Sequence, residues 1–333
     1  MKLFTRRTFI VAALLTALVA GVLYRSGGQP QAGTRLVVGG PNDLAMLVVL
    51  AQDRGLFERH GLEVDYRHLQ TGKITQDALM SGDLDVGVIV DTNIAFIGFQ
   101  PDAKTKVLAS IQEQNGDGIV ARADRGIKTP ADLRGKTVGY TPGTTSHVFL
   151  DRMLRLNGLK FEDVKPLAMP PPTLEAAIVR GDIDAASIWQ PFRFNAMRQL
   201  ASRGVEFTDR KAYTAYALLA ARSEVVSERR DALERLLKAL LEAESQLSAE
   251  TASSIPILAG KVGISVDAMQ ALWPEYRIRV SLDQVVKQTI VEEGEWIRSS
   301  QEGFVGKPQP DYAKFFETGP LRSIRPDRVN FAQ

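Results

Sequence analysis

The chain has 333 residues, of which 44% are hydrophobic, 24% charged and 7% aromatic, a composition that buries one large core or two moderate ones and excludes disorder. It has no cysteine, which excludes a disulfide scaffold, a thiolate metal site and a cysteine nucleophile, and its three histidines, His60, His68 and His147, lack the paired spacing of a zinc site. The formal charge of +2 comes from the first 33 residues, where Lys2, Arg6, Arg7 and Arg25 meet no acid; beyond them 37 bases face 39 acids, a balance of −2. A near-neutral body has no basic field for a phosphate backbone, so nucleic acid is not an expected partner.

Residues 9–24, FIVAALLTALVAGVLY, are an apolar run between a basic stretch and the polar segment RSGGQPQAG, which is the order of an export signal. As a helix this run spans about 24 Å, short of the ~30 Å hydrocarbon layer, so cleavage is expected and an uncleaved anchor is the alternative. The stretch Thr5-Arg6-Arg7-Thr8-Phe9-Ile10 resembles a twin-arginine signal. Residues 1–33 are therefore assigned to export and linker.

From Thr34 short β-type runs alternate with helical patterns, which predicts an α/β protein with mostly parallel sheets. Strands are expected at 35–38, 62–69, 84–90 and 105–112, with helices at 44–54, capped by Asn42 or Asp43, at 74–80 and at 92–99. The rhythm then restarts, with strands at 136–140, 164–168 and 183–189 and helices at 144–156 and 173–179. Residues 78–87, ALMSGDLDVG, recur as AIVRGDIDAA at 177–186: a helix closed by glycine, then Asp-x-Asp entering a strand. Two lobes with one blueprint follow, the first from 34–114 plus 215–333 and the second from 115–214. Crossings near 112–118 and 205–216 would form a hinge, the first eased by Gly116 and Gly118. After Ala217 the chain turns helical and is expected to pack back on the first lobe. Open sheets bind ligands outside their strand carboxyl ends, so the cleft between lobes is the expected site.

The first candidate is Tyr140-Thr141-Pro142-Gly143-Thr144-Thr145-Ser146-His147, which runs from a strand through a turn into a helix start. Free amides, the helix dipole and the hydroxyls of Thr144, Thr145 and Ser146 predict a cradle for an anion, with His147 as a further donor. Strand ends supply the rest: Trp189 and Gln190 in the second lobe, and Asn42, Asp43, Thr71, Lys73, Asp91 and Thr92 in the first. Lys73 is the expected cation, and Tyr213 on the return crossing is a further candidate. No Gly-x-Ser-x-Gly elbow, Walker loop or Gly-x-Gly-x-x-Gly after a strand is present, and the pairs Asp83/Asp85 and Asp182/Asp184 suit strand-start capping and a solvated edge. No catalytic residue, metal or cofactor is expected. A cleft lyase or synthase using Asp91 or Lys73 is the enzymatic alternative.

Five stretches together resemble the nitrate, sulfonate and taurine branch of ABC-transporter periplasmic binding proteins. They are LAMLVVLAQDRGLFERHGLEV at 44–64, ALMSGDLDVGV at 78–88, GIKTPADLRGKTVGYTPGTTSHVFLDRMLRLNGLKFEDV at 126–164, AAIVRGDIDAASIWQPF at 176–192 and EWIRSSQEGFVGKPQPDYAKFF at 295–316. The resemblance implies a type II periplasmic binding-protein fold, two lobes around a ligand cleft. It further implies a periplasmic monomer that delivers a small solute to an ABC permease in the inner membrane. GTTSHVFL is most similar to the sulfonate and taurine members, whose matching segment holds the sulfonate, which marks Thr144, Thr145, Ser146 and His147, and IWQPF marks Trp189. The implied ligand is a small organic anion, an aliphatic sulfonate or taurine-like compound. Nitrate, bicarbonate and pyrimidine or thiamine precursors are the alternatives on this scaffold, because VDTNIAF and GGPNDLAM depart from the sulfonate pattern.

Overall fold

The repeated Gly-Asp-x-Asp ties neighbouring elements together within each half of the molecule. Gly82 and Gly181 close the helices Gly72–Ser81 and Pro171–Arg180 at φ of 91° and 89°, a left-handed turn that glycine adopts without strain. The second aspartate of each copy then anchors a neighbouring strand. Asp85 Oδ2 accepts the Val37 N–H at 2.9 Å and Asp184 Oδ2 accepts the Thr137 N–H at 2.8 Å. Arginines complete both sites, Arg222 and Arg229 on Asp85 and Arg125 on Asp184. Burial works to raise the Asp85 carboxyl, but the hydrogen bonds from Arg229, Val37 and Arg222 outweigh it and hold it below the usual range.

The computed structural model describes residues 35–331; the export-signal readings, over residues 5–24, lie outside them. The first sheet contains β1 (Arg35–Gly40), β2 (Glu63–His68), β3 (Val86–Val90) and β4 (Thr105–Gln114). The second contains β5 (Gly118–Arg122), β6 (Thr137–Tyr140), β7 (Lys165–Ala168), β8 (Ala185–Ile188) and β9 (Gly204–Phe207). The chain then returns to the first sheet as β10 (Ala215–Arg222), β11 (Tyr276–Asp283) and β12 (Val329–Asn330). The strand orders are β12-β11-β4-β10-β3-β1-β2 and β7-β6-β8-β5-β9. Each sheet is built on a parallel triplet, β2-β1-β3 or β7-β6-β8, as the α/β rhythm predicts. Beside the third strand each sheet inserts an antiparallel one, β10 or β5, and in both cases it is the strand that has just crossed from the other sheet. These crossing strands follow one another without a helix between, so the α/β rhythm does not announce them.

The chain passes between the sheets at 115–117 and 208–214. Neither Gly116 nor Gly118 takes a positive φ, and a Cβ on Gly118 would lie 2.7 Å from Arg193 Cδ. Gly118 thus makes room for a close approach rather than easing a bend. Buried Arg193 donates from Nη1 to the Gly116 and Asp117 carbonyls at 3.0 and 3.1 Å, and its Nη2 pairs with Glu275 across the crossing.

Helices Arg230–Ala249 and Thr251–Val262 pack on Met46–Asp53, and Gln284–Ser300 packs on Asp91–Ile97, but the stretch after Ala217 is not all helix as expected: β10 runs to Arg222, and β11 and β12 extend the first sheet. The expected capping of the first helix by Asn42 or Asp43 does not occur. Pro41 O receives the Leu44 and Ala45 N–H groups instead, and Asn42 bonds Tyr66 Oη and the Lys261 carbonyl.

Replacing Asp85 by alanine leaves two partly buried guanidinium groups and the Val37 N–H without their acceptor, and urea denaturation at pH 7 should show a loss of about 3 kcal/mol. Because the folded carboxyl sits low, that gap should close as pH falls below the ordinary aspartate range. Exposed Asp83, whose carboxylate accepts only from the Ser81 hydroxyl among the described residues, should cost under about 0.5 kcal/mol when changed to alanine.

Candidate functional site

The carboxyl ends of the parallel strands in the two sheets face a common cavity of about 30 Å³, room for roughly two water molecules. One wall belongs to the first sheet and its loops: Asp43, Leu44, Thr71, Gly72, Lys73, Val90, Asn93 and Gln114. The other is Thr144, Thr145 and Trp189 from the second. Six of the sequence candidates therefore meet here: Asp43, Thr71, Lys73, Thr144, Thr145 and Trp189. Leu44, Gly72, Val90, Asn93 and Gln114 were not singled out from the sequence. Asn93 carried a signal, since it lies two residues after Asp91 at the end of β3.

The helix Thr145–Leu156 starts at this cavity; the His147 and Val148 N–H groups bond the Thr144 carbonyl, and the Thr145 and Ser146 N–H groups have no acceptor within the helix. The hydroxyls beside them behave differently from expectation. Thr144 Oγ1 donates to the Thr141 carbonyl at 2.7 Å, and Thr145 Oγ1 donates to Asp117 Oδ1 at 2.8 Å. Ser146 Oγ accepts the Thr141 N–H at 3.0 Å and is fully buried behind the wall. The protons of Thr144 and Thr145 are thus committed inward, and the donors this segment keeps for the cavity are main-chain N–H groups. Nor does Thr144 cap the helix with its side chain.

His147 also departs from its expected role. It does not line the cavity; its Nδ1 accepts the Gly143 N–H at 3.4 Å, and burial pushes its pKa down to about 4. The neutral ring packs against Tyr140 at 4.7 Å and edge-on to Trp296 of the helical tail at 5.0 Å, joining the two halves by an aromatic contact. Lys73, the expected cation, pairs with Asp77 one turn along its own helix, Nζ to Oδ1 at 2.5 Å, and its side chain is half exposed. Thr71 caps that helix by accepting the Ile74 N–H, which leaves its hydroxyl proton free.

The remaining candidates lie behind the walls. Gln190 accepts the Phe194 N–H at 2.9 Å and reaches Glu275 at 3.3 Å, so it fixes a helix start rather than facing the cavity. Asn42 is engaged with Tyr66 and Lys261 as described above. Asp91, Thr92 and Tyr213 form a buried network with Glu293, whose Oε2 has no hydrogen-bond partner. The Tyr213 hydroxyl donates to Asp91 at 2.7 Å and Thr92 Oγ1 to Glu293 at 2.8 Å, with all four groups buried. Burial pushes Asp91 up to about 7 and, with the Asp91 charge beside it, holds Glu293 well above the usual carboxyl range.

Two further acids stand close to the cavity. Burial raises Asp43 to about 6, against the opposing pull of the Asp43 and Leu44 main-chain N–H groups. Asp117 is also raised to about 6, chiefly by burial, with the Thr145 hydroxyl and Arg193 opposing; its Oδ2 has no hydrogen-bond partner. Lys73 also lines a wider groove of about 490 Å³ that opens beside the cavity between Phe96 and Phe304 on one side and Tyr140, Gly143 and His147 on the other. No group of three or more acids and histidines among the described residues is arranged to hold a metal ion.

Residues 42–250 match the NMT1/THI5-like family. The chain belongs to that family. As a member of it, the chain is 30% identical over 260 residues to a protein of Brucella abortus (strain 2308) provisionally described as a binding protein, covering 76% of this chain and 78% of the relative. It is also 30% identical over 161 residues to the taurine-binding periplasmic protein of Escherichia coli (strain K12), covering 48% of each. Its fold is similar to that of the periplasmic aliphatic sulphonate binding protein SsuA from Escherichia coli, with a TM-score of 0.74 at 22% identity over 86% of this chain and 92% of that one. The NMT1/THI5-like chain thus has the type II periplasmic binding-protein fold.

Asp117 predicts a pH signature. Its folded pKa lies above the unfolded value, so the native state holds the proton more tightly, and stability is lost as pH rises from about 4 to above 6. Asp117→Asn removes this ionisation while keeping an acceptor for Thr145. Thermal denaturation should show the variant more stable than the parent at pH 8, by about 1 to 3 kcal/mol, and no more stable at pH 4. Equal loss of stability at both pH values would contradict the assignment.

Proposed function

We propose that this chain is the solute-binding component of an ABC importer, a periplasmic monomer that closes on a small organic anion, an aliphatic sulfonate or taurine-like compound, and presents it to a membrane permease. The observation that carries this reading is the cavity between the two sheets, walled on one side by the first turn of Thr145–Leu156. Amides at a helix start complement an acidic oxygen through both hydrogen bonding and the helix dipole. The Asn93 Oδ1 accepts the Val90 N–H, and the Gln114 Oε1 accepts from Gln112. Both amide NH2 groups are therefore turned to further acceptors, as is the Thr71 hydroxyl. These donors supply an anion site without a free cation.

The two sheets with their helices would act as lobes, 34–114 plus 215–333 and 115–214, moving about the segments 115–117 and 208–214. The cavity itself takes little more than a head group, and the adjoining aromatic groove accommodates the rest of an extended ligand. Catalysis is not part of this proposal. Asp43 is the acid that lines the cavity, and among the described residues no nucleophile is paired with a base there. The E. coli relatives named as taurine-binding and sulphonate-binding support the ligand class.

Isothermal titration against ethanesulfonate, propanesulfonate, 2-aminoethanesulfonate, nitrate and aminopyrimidines tests the ligand class. A sulfonate should bind near 1 μM, about −8 kcal/mol, which a few charge-assisted hydrogen bonds supply. Trp189→Ala, which strips one face of the cavity, should weaken that binding about tenfold. Silence from every sulfonate, with clear heat from a pyrimidine, would overturn the ligand class while leaving the binding role intact.

A further inference from the structure

The first sheet carries a second cavity, of about 310 Å³, that the importer reading leaves unused. Gln114 lines the cavity between the sheets and its neighbour Glu113 lines this one. Adjacent residues of a strand point to opposite faces, so β4 stands between the two cavities. Tyr216, Glu113 and Arg277 lie side by side on β10, β4 and β11, with Ser110 opposite Ser281 beyond a register shift on each side of β4. Such shifts re-aim side chains, and here all five residues line the same cavity.

The lining is a set of unused donors. Ser110 and Tyr216 are only 5% and 9% exposed, yet neither hydroxyl has a hydrogen-bond partner among the described residues. The Tyr216 phenol sits among Glu113, Asp283 and Arg277; burial, with the Glu113 charge next, lifts it to about 12, so it keeps its proton as a donor. Arg277 and Arg279 bring guanidinium groups whose nearest carboxylates, Glu113 and Asp283, stand 3.9 and 4.0 Å away, too far for a hydrogen bond. The helix Gln284–Ser300 starts on the same wall. Asp283 does not cap it with its side chain, whose Oδ2 accepts from the Ser281 hydroxyl at 2.7 Å instead. The Gln284, Val285 and Val286 N–H groups therefore bond no acceptor among the described residues. The two acids balance the two guanidinium charges, and the remaining N–H and O–H donors far outnumber the free acceptors.

We infer that this cavity is a second binding site, for a small oxyanion bearing phosphate or carboxylate groups, held by Arg277, Arg279, the start of Gln284–Ser300 and the hydroxyls of Tyr216 and Ser110. Guanidinium forks pair with such oxygens two at a time, and the helix start and hydroxyls take the others. Every one of these residues belongs to the first sheet's half, so the site does not depend on what fills the space between the sheets.

Inorganic phosphate and citrate, titrated calorimetrically into the purified chain at pH 7.5 in a chloride buffer, separate the two head groups. At least one of them should bind once per chain with a Kd below about 1 mM. Changing Arg277→Gln and Arg279→Gln together, at positions whose side chains face solvent in part, should weaken that binding at least about tenfold. Tyr216→Phe, which removes only the unpartnered hydroxyl, should weaken it about threefold or more. Silence from both anions at millimolar concentration, or binding left unchanged by either variant, would overturn the inference. If circular dichroism shows the double variant unfolded, the parent titration and Tyr216→Phe decide the question in the same way.

Discussion

The hydrogen bond from the Thr145 hydroxyl to buried Asp117 sets the character of the whole cleft. It ties the first turn of a helix in the second sheet's half to the segment through which the chain enters that half, so the helix start and the crossing are one rigid corner. Arg193 locks the same corner from behind by holding the Gly116 and Asp117 carbonyls and Glu275. Because the hydroxyl proton is used in this way, the corner offers the cavity amide hydrogens and oxygen lone pairs, and no positive charge.

Burial then decides the electrostatics. Asp43, Asp91, Asp117 and Glu293 all have carboxyls raised by removal from water, and the guanidinium groups nearby are already shared among other partners. A cleft of this kind discriminates by hydrogen-bond polarity, because a desolvated acceptor left facing another acceptor is costly. The neutral His147 ring against Trp296 contributes to closure by packing alone, so contact between the halves does not depend on a histidine charge near neutral pH.

Much of this architecture is legible in the sequence because it is local. The two Gly-Asp-x-Asp copies encode a left-handed helix end and an anchored strand within ten residues, and the ends of β1, β2, β6 and β8 place Asp43, Thr71, Lys73, Thr144, Thr145 and Trp189 at the cavity. What sequence reasoning could not reach depends on contacts far apart in the chain. The direction of the Thr145 hydroxyl is set by an acid 28 residues away, and the fate of Asp91 and Thr92 by Tyr213 and Glu293, more than a hundred residues on. A run of three hydroxyls reads as three donors until their acceptors are known. The antiparallel crossing strands β5 and β10 were likewise hidden, since no helix separates either from the strand before it, β4 or β9.

The most direct measurement is the crystal structure of the chain with 2-aminoethanesulfonate bound. The sulfonate oxygens are expected about 3 Å from main-chain N–H groups at the start of Thr145–Leu156. A ligand lying wholly in the aromatic groove, with no oxygen at that helix start, would contradict the anion site.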